Sequence, residues 1–453
     1  MIKLLLLHIL LLCRLAAASP AVDQTSLLAH RWNTQGSNYP TVFLHGILGW
    51  GEAAPLFGSV YYFGGACQNI VSDLREQGHT VVAPNLGPLS SNWERTCEAF
   101  AQLVGAQTDY GIARSNRFRH NRYGLDYSGT ALLPGFASNF YGDTAESGRI
   151  EKINLVGHSL GGSTARFLTH LLTFGSQEEM DACASAGVEC SPLFWTNKTR
   201  PLVNGVFAVS GVHQGSVVDD FLHTNGGLLT LVKGLTSTIV GVNNINNEDV
   251  IWNLQLDHYG LIQKEDEDFF QFMNRICESE WFLSDSTAVY DLSVAAHDTP
   301  LLTFVQNSPT TTYFSAAGVT TRYILGVAVA TLQTNLFLAP FANLIGSYSN
   351  DSLAVLGTYS KEDWRQNDGM VMLASSRGPK SGFRDFQMDI QADSEAALVE
   401  SAPTTAPVKG VYNYVGVLDG LDHADVVAVM DVVPGRVDSL YRNILKVLNA
   451  LAP

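Results

Sequence analysis

The chain has 453 residues, of which 46% are hydrophobic and only 15% are charged, so it is long and apolar enough to bury a large core. Its net charge of −16 at pH 7 argues against nucleic acid as a partner, because binding phosphates requires clustered lysine and arginine. The same charge argues against electrostatic docking on anionic membranes.

The first nineteen residues predict a secretory signal peptide. Lys3 supplies the positive charge, residues 4–12 are mostly apolar, and residues 16–19 offer small side chains for cleavage. The apolar run is too short for a membrane anchor, so we expect a secreted chain or one in the lumen of the secretory pathway. The Asn-x-Ser/Thr sequences at Asn197 and Asn350 fit the pattern for glycosylation.

Five cysteines remain after the predicted cleavage, and an oxidising compartment favours disulfides among them. Cys183 and Cys190 are close enough in sequence to close one loop, and Cys67 with Cys97 is the second predicted pair. That pairing leaves Cys277 as an odd thiol, which we expect to be buried. Unpaired buried cysteines are the alternative for all five.

Strand and helix patterns alternate along the chain. Strands are predicted at residues 39–44, 79–83, 153–156, 202–209 and 411–417, and helices near 67–77 and over 164–172. This alternation predicts βαβ units and therefore a mostly parallel central sheet with helices on both faces.

Two further segments stand out between the predicted core elements. Residues 213–260 are irregular and mix glycine, asparagine and apolar residues, a composition that suits a mobile lid. The alternative is an ordinary surface helix with one buried face. Residues 324–341 are apolar but are interrupted by polar residues and a proline, which predicts a buried helix or one at the rim of a site, and no transmembrane span.

Residues 157–161 form a Gly-x-Ser-x-Gly motif between a predicted strand and a predicted helix. Such an elbow holds its serine in a strained backbone conformation, and the flanking glycines avoid side-chain collisions. The hydroxyl of Ser159 would then lie at a helix N-terminus, where backbone N–H groups can stabilise an oxyanion.

A serine nucleophile of this kind requires a base and an acid, which in α/β-hydrolases follow it in the order acid, then histidine. His423 is the histidine that lies late enough in the chain to serve as the base. Asp368, in an Asn-Asp-Gly turn, is the best candidate for the acid, and Asp363 and Asp351 are its rivals.

Glycines at positions 46, 49 and 51 follow the first predicted strand and would let the backbone approach a ligand closely. We assign the oxyanion-stabilising N–H groups to Ile47 and Leu160; a glycine-rich turn without a catalytic role is the alternative. The ordered set of elbow, oxyanion loop, acid and histidine predicts a single α/β-hydrolase domain over residues 20–453.

At this point the chain resembles the secreted triacylglycerol lipases of the thermophilic Bacillus and Staphylococcus type, from about Tyr39 to Pro434 with gaps. The matching stretches are residues 45–51, 87–93 (Gly-Pro-Leu-Ser-Ser-Asn-Trp), 109–111, 157–159, 175–179, 191–194, 290–293 and 367–369. The resemblance implies a lipase whose triad is Ser159, Asp368 and His423, and it favours Asp368 over Asp363.

The resemblance also implies a zinc site, whose positions correspond to Glu94, Arg114, His120 and Asp257. Arginine cannot be a ligand because it stays protonated and has no lone pair, and zinc normally takes four ligands. Our hypothesis is that Arg114 replaces the cation and pairs with Glu94 and Asp257, so zinc is not expected.

The family's calcium site lies just beyond the catalytic histidine, where Asp425 and Asp431 are the candidate ligands. Calcium tolerates flexible oxygen coordination, so binding at these two carboxylates stays open; an exposed acidic loop without a metal is the alternative. No cofactor is needed for the chemistry itself.

The sequence therefore predicts a secreted serine lipase that hydrolyses the ester bonds of acylglycerols at a lipid–water interface through an acyl-serine intermediate. The alternatives are a carboxylesterase or phospholipase with the same triad, and a hydrolase-fold binding protein without catalysis.

Overall fold

The computed structural model describes residues 27–142, 148–223, 226–240, 252–348, 361–431 and 434–453. The predicted signal peptide, residues 241–251 of the predicted lid, Asn350 and Asp351 lie outside these ranges.

A seven-stranded sheet organises the molecule. The described residues form eleven strands, which in chain order are β1 (Thr41–Leu44), β2 (Val81–Val82), β3 (Gln107–Asp109), β4 (Tyr123–Asp126), β5 (Ile153–His158), β6 (Val203–Val209), β7 (Thr312–Val319), β8 (Thr321–Ile324), β9 (Val327–Ala330), β10 (Phe383–Asp385) and β11 (Tyr412–Asp419). Seven of them pair in parallel in the order β10-β11-β7-β6-β5-β1-β2. β3 with β4 and β8 with β9 form separate antiparallel pairs.

Helices cover both faces of this sheet. In chain order they are α1 (Leu27–Arg31), α2 (Ile70–Glu76), α3 (Asn92–Val104), α4 (Ile112–Phe118), α5 (Pro134–Tyr141), α6 (Leu160–Phe174), α7 (Gln177–Ala186), α8 (Asp219–Leu222), α9 (Gly227–Val240), α10 (Phe269–Cys277), α11 (Ala288–Leu292), α12 (Pro300–Thr303), α13 (Ala339–Ser347), α14 (Lys361–Arg365), α15 (Leu373–Arg377), α16 (Glu395–Ser401) and α17 (Asp438–Asn449). Helices α1, α2 and α17 pack on one face and α3 with α6 on the other, so the predicted α/β-hydrolase architecture is confirmed.

The central strands are buried on both faces, which explains their continuous apolar sequences. Phe43 of β1 and Val156 of β5 are register partners and lie in one core cluster, whereas their neighbours Val42 and Leu155 lie in the other. The alternation of side chains along each strand therefore divides the core into two layers, and it leaves the carboxyl ends of the strands free to carry a site.

The prediction of one helix over residues 324–341 is wrong. The segment begins at the end of β8, turns through Leu325 and Gly326, and passes along β9 before α13 begins at Ala339. Both turn residues have positive φ, 50° and 82°, which is the backbone of a tight hairpin turn. Within the described ranges, no helix is long and apolar enough to cross a membrane.

The predicted lid region contains more regular structure than its composition indicated. Helix α9 occupies much of it, and Leu228, Leu231 and Val232 of this helix are buried in a core cluster. The described part of the region therefore fits the alternative of a surface helix with one buried face, and its role as a lid stays a prediction.

Cys183 and Cys190 form the predicted disulfide, with Cα atoms 5.6 Å apart. The predicted pair of Cys67 and Cys97 is not formed. Cys97 is buried in α3 in the core cluster on one face of the sheet, whereas the neighbour of Cys67, Ala66, packs against the cluster on the other face. Cys277 is only half-buried, where burial was predicted.

Candidate active site

Ser159 lies at the turn between β5 and α6. Its backbone has φ 57° and ψ −128°, a conformation that residues other than glycine rarely adopt. The turn is so tight that a Cβ atom at Gly157 would collide with the carbonyl oxygen of Gly161, and one at Gly161 with that of Leu44. Only glycine fits at these two positions, so the motif's spacing follows directly from the geometry of the elbow.

Asp368 and His423 form a buried pair on neighbouring loops. Oδ2 of Asp368 lies 2.8 Å from Nδ1 of His423, and the backbone N–H of His423 donates to the carbonyl of Asp368 at 2.9 Å. The other carboxylate oxygen of Asp368 accepts the N–H groups of Met370 and Val371 at 3.1 and 2.8 Å. Two backbone N–H groups and full burial therefore fix the carboxylate that orients the imidazole.

Neither of the alternative candidates for the acid, Asp363 and Asp351, is found beside His423 in the described residues. The carboxylate of Asp363 pairs with Arg377 at 2.9 Å, and Asp351 lies outside the described residues. Among the three candidates, the carboxylate found beside His423 is that of Asp368.

His423 lies beside the elbow itself. Its ring centroid is 4.6 Å from that of His158, the residue directly before Ser159. No hydrogen bond joins the imidazole of His423 to the hydroxyl of Ser159. Catalytic hydrogen bonds of this kind commonly tighten only when substrate binds. The structure thus brings all three predicted triad positions to one edge of the sheet.

The two predicted oxyanion donors also meet at this edge. Among the described residues, the backbone N–H groups of Ile47 and Leu160 have no hydrogen-bond acceptor, whereas the flanking N–H of Gly46 donates to the hydroxyl of Tyr62 at 2.9 Å. A Cβ atom at Gly46 would lie 2.8 Å from the Cβ of Ser159, so the loop directly adjoins the serine. Two unpaired amides beside a serine are the arrangement that an oxyanion hole requires.

The predicted zinc positions form an ion pair around arginine. Nε of Arg114 lies 2.8 Å from Glu94, the guanidinium also donates to the hydroxyls of Ser91 and Ser286, and Nε2 of His120 is 3.7 Å from Glu94. Burial disfavours the charged form of Glu94, but the charge and hydrogen bonds of Arg114 outweigh it and lower the pKa of Glu94 to about 2.

The predicted pairing of Arg114 with Asp257 is wrong. Asp257 is exposed, and the adjacent His258 is buried instead, its ring stacked on Tyr110 with centroids 4.3 Å apart. Adjacent residues of the short 3-10 turn at Asp257–Tyr259 point in different directions, so a displacement of one residue exchanges the inward side chain. With a guanidinium in the centre and one carboxylate turned outward, these residues do not fit zinc.

The candidate calcium ligands also surround an arginine. Nη1 of Arg436 lies 2.6 Å from Asp425 and 3.3 Å from Asp431, and Nη2 donates to the carbonyl of Gly420 at 3.0 Å. The guanidinium thus holds the two carboxylates and the backbone oxygen that a calcium ion would use. Throughout the described ranges, no group of three or more His, Cys, Asp or Glu side chains is arranged to hold a metal ion.

A family model described as "Lipase-like, C-terminal domain" matches residues 37–446. The chain belongs to this family. Lipase 2 of Staphylococcus aureus is 29% identical over 397 residues, which are 87% of this chain and 51% of that protein. The lipase of Staphylococcus epidermidis is 30% identical over 358 residues, 79% of this chain and 47% of that protein. The chain spans about half the length of these relatives, and the predicted resemblance to staphylococcal lipases is confirmed.

Solved structures extend this similarity over almost the whole lipase-like chain. EstA from Clostridium botulinum is 30% identical with a TM-score of 0.74, covering 99% of this chain and 98% of that one. Lipase 1 from Pelosinus fermentans is 28% identical with a TM-score of 0.72, covering 92% and 100%. Staphylococcus hyicus lipase, 24% identical with a TM-score of 0.68 over 94% and 97%, shares the fold.

Sequence reasoning missed three residues of the lipase-like site. Tyr62 lies 16 residues from Gly46 and 96 from His158, and Arg436 lies 5 and 11 residues from the two carboxylates that it contacts. No local motif marks either residue. His158 lies inside the elbow motif, where its position is variable by definition. Its placement between Tyr62 and His423 becomes visible only in the structure.

Proposed function

We propose that the protein is a serine hydrolase that cleaves the carboxylic ester bonds of acylglycerols through an acyl-Ser159 intermediate. The observation that carries this proposal is the convergence of a strained serine, two amides without acceptors and a buried Asp368–His423 pair at one edge of the sheet. The membership in a lipase-like family and the lipase structures supply independent support.

The contacts of His423 define its part in the reaction. The Nδ1–H group donates a hydrogen bond to Asp368, so Nε2 carries the lone pair and can remove the proton from the Ser159 hydroxyl. The serine oxygen then attacks the carbonyl carbon of the ester. Asp368 stays ionised and stabilises the imidazolium that results.

The amides complete the cycle. The N–H groups of Ile47 and Leu160 donate to the carbonyl oxygen as it becomes negative in the tetrahedral intermediate. Collapse of the intermediate breaks the ester C–O bond, and the imidazolium gives its proton to the departing alcohol. A water molecule, deprotonated by His423, then hydrolyses the acyl-serine and releases the fatty acid.

An uncharged segment beside the site favours a lipid surface over a soluble ester. Residues 323–348 contain no Asp, Glu, Lys, Arg or His, although the whole chain is 15% charged. Leu325, Leu332 and Leu336 of this segment are each at least 90% exposed. Single exposed leucines are ordinary, but several in one uncharged segment indicate a surface that meets an apolar partner.

Contacts hold this segment, which we call the leucine rim (residues 323–348), against the catalytic loops. The N–H of Asn335 donates to Oδ2 of Asp422, the residue before His423, at 2.5 Å. Leu338 packs against Gly369, the residue after Asp368. A lipid surface that contacts the leucine rim would therefore lie close to the candidate nucleophile.

We further propose that the protein is secreted. The charge and apolar pattern of residues 1–19 support this proposal, and so does the disulfide between Cys183 and Cys190. Expression of the whole chain in a eukaryotic host, followed by N-terminal sequencing of protein from the medium, tests it; full-length chain retained inside the cell would contradict it.

The function is tested by titrating the acid released from emulsified long-chain triacylglycerol and from a soluble short-chain ester, with wild-type protein and Ser159→Ala. We expect turnover of both substrates, faster on the emulsion, and none with the variant. Turnover of the soluble ester alone would indicate a carboxylesterase. Folded wild-type protein without turnover of either would indicate a hydrolase-fold binding protein.

A further inference from the structure

Tyr62 connects two parts of the candidate site that are far apart in sequence. Its side chain is buried, and its hydroxyl lies 2.9 Å from the backbone nitrogen of Gly46 and 2.8 Å from Nδ1 of His158. Gly46 precedes the oxyanion donor Ile47, and His158 precedes the nucleophile. One phenol therefore contacts the residues directly before two groups of the proposed machinery.

The chemistry of the backbone fixes the direction of the first hydrogen bond. A backbone N–H can only donate, so the Tyr62 oxygen is the acceptor from Gly46. The phenolic hydrogen is then available for Nδ1 of His158. Burial lowers the pKa of His158 well below its ordinary value, so its ring is neutral, and the tautomer with its hydrogen on Nε2 accepts from the phenol.

The same ring reaches the base. The ring of His158 packs against that of His423 with centroids 4.6 Å apart. Nε2 of His158 makes no hydrogen bond to any described residue, so the two histidines meet through ring packing. A continuous set of contacts thus runs from Gly46 through Tyr62 and His158 to His423.

We propose that Tyr62 and His158 are positioning residues that hold the oxyanion loop and His423 in register with Ser159. Anchoring the N–H of Gly46 to Tyr62 fixes the peptide plane between His45 and Gly46, which directly precedes the peptide that carries the Ile47 N–H. Packing of His158 limits the movement of the His423 ring. This inference rests on the proposed function, because the positioning role concerns the catalytic site proposed there.

A second contact set holds the same peptide from its other side. The buried guanidinium of Arg95 donates to the carbonyl oxygens of His45 and Gly87, which holds the loop from the side of α3. The carbonyl of His45 and the N–H of Gly46 belong to one planar peptide, so Arg95 and Tyr62 together hold it at both ends.

Tyr62→Phe tests the proposal because it removes one oxygen atom and keeps the ring. An oxyanion hole acts mainly in the transition state, so its misalignment lowers kcat while KM stays unchanged. We expect kcat to fall by about 10- to 100-fold, less than the roughly 100- to 1,000-fold loss that follows removal of an oxyanion donor, because the donor is displaced and not deleted. Tyr61→Phe is the matched control, because the neighbouring tyrosine is only half-buried and should keep wild-type kcat.

Affinity for a boronic acid that forms a tetrahedral adduct with the serine gives the specific readout. We expect its inhibition constant to rise in Tyr62→Phe in proportion to the loss of kcat/KM, which a merely structural role would not produce. His158→Asn removes the hydrogen-bond partner of the Tyr62 hydroxyl and the ring that packs against His423. It should show the same fall in kcat and the same rise in the inhibition constant. The double variant should lose hardly more than either single variant, because the two residues act as one unit.

Wild-type kcat in folded Tyr62→Phe and His158→Asn would overturn the proposal, as would losses that simply add in the double variant. Circular dichroism and thermal unfolding of each variant establish that it is folded. A failure of the proposed function can be distinguished from a failure of this inference. Turnover that persists in Ser159→Ala contradicts the catalytic triad. Turnover that requires Ser159 but does not change in Tyr62→Phe contradicts the positioning role of Tyr62.

Discussion

The carboxylate of Asp368 lies 2.8 Å from Nδ1 of His423, and it is held there by the N–H groups of Met370 and Val371. The carboxylate is completely buried and accepts hydrogen bonds only from fixed donors, so it cannot turn away from the imidazole. This pair determines which ring nitrogen of His423 faces the candidate nucleophile, and the proposed chemistry depends on that choice.

Asp368→Asn should lower kcat by roughly a thousandfold or more while the protein remains folded, because the amide no longer fixes the imidazole tautomer or stabilises its charged form. Steady-state kinetics on a soluble ester measure the effect. Asp363→Asn is the matched control, since Asp363 pairs with Arg377, and it should keep kcat near the wild-type value. Equal losses in the two variants would contradict the assignment of the acid.

Replacing Leu332 and Leu336 together by serine should lower the ratio of emulsion turnover to soluble-ester turnover by about tenfold or more, because two apolar side chains no longer leave water when the protein contacts lipid. Both rates are measured on the same preparation. Leu283→Ser is the control, since Leu283 is 72% exposed but lies outside the leucine rim. An unchanged ratio in the double variant would show that the rim does not contact lipid.

Metal chelation should leave the melting temperature of the wild-type protein unchanged, and added calcium or zinc should not raise it. The guanidinium groups of Arg114 and Arg436 already neutralise the carboxylates at the two candidate metal positions. Calorimetry in chelator, in calcium and in zinc measures the effect. An increase of several degrees with either ion, or a stoichiometric metal in purified protein, would contradict this prediction.

A variant that lacks Arg436 tests whether this arginine occupies the position of a calcium ion. In Arg436→Ala, Asp425 and Asp431 face each other without a cation, and the free energy of unfolding should fall by about 1 kcal/mol, a modest loss because Arg436 is partly exposed. Calcium should restore part of this loss. Arg442→Ala removes an equally exposed arginine whose ion pair with Asp438 is long, at 3.9 Å, and should show neither effect.

The buried carboxyl group of Glu98 should contribute stability that is lost between about pH 4.5 and pH 7. Burial raises the pKa of Glu98 to about 7 in the folded state, against an ordinary value of 4.5. In this interval the unfolded chain releases a proton that the folded chain retains, so a rising pH favours unfolding, by up to about 3 kcal/mol for this one group. Asp291, whose pKa burial also raises to about 7, adds to the same slope.

Denaturant unfolding at several pH values compares the wild-type protein with Glu98→Gln, which keeps an oxygen to accept the N–H of Gly87. The free energy of unfolding of the variant, relative to that of the wild-type protein, should rise by up to about 3 kcal/mol between pH 4.5 and pH 7. Glu76→Gln changes an exposed carboxylate and should follow the wild-type pH dependence. A difference between Glu98→Gln and wild type that does not change with pH would mean that Glu98 is ionised when buried.

The nucleophile elbow could be predicted from sequence because its causes are local. A buried strand, two glycines and a helix within about twenty residues allow one backbone path, and Ser159 takes it. Asp368 and His423 were found by their order after the serine, but their contact depends on β7 and β11 being neighbours in the sheet. The order of the residues along the chain predicted their roles as acid and base, whereas the distance between them could be read only from the fold.

The remaining site could not be predicted because its partners come together only in the tertiary structure. Asp431 and Asp425 lie only 5 and 11 residues before Arg436, but no local motif indicates that its guanidinium contacts both carboxylates. The resemblance to the lipase family placed Asp257 at a zinc position, but in the structure the neighbouring His258 points inward. The assignment was therefore displaced by one residue. The apolar run at 324–341 was predicted as a helix because hydropathy alone does not distinguish a short hairpin from a helix.

Mass spectrometry of the protein after reaction with an alkyl fluorophosphonate tests the central claim most directly. The account predicts one adduct, on the peptide that contains Ser159, with complete loss of ester turnover and no adduct in Ser159→Ala. An active protein that forms its adduct at another residue, or that keeps its turnover after Ser159 is modified, would contradict it.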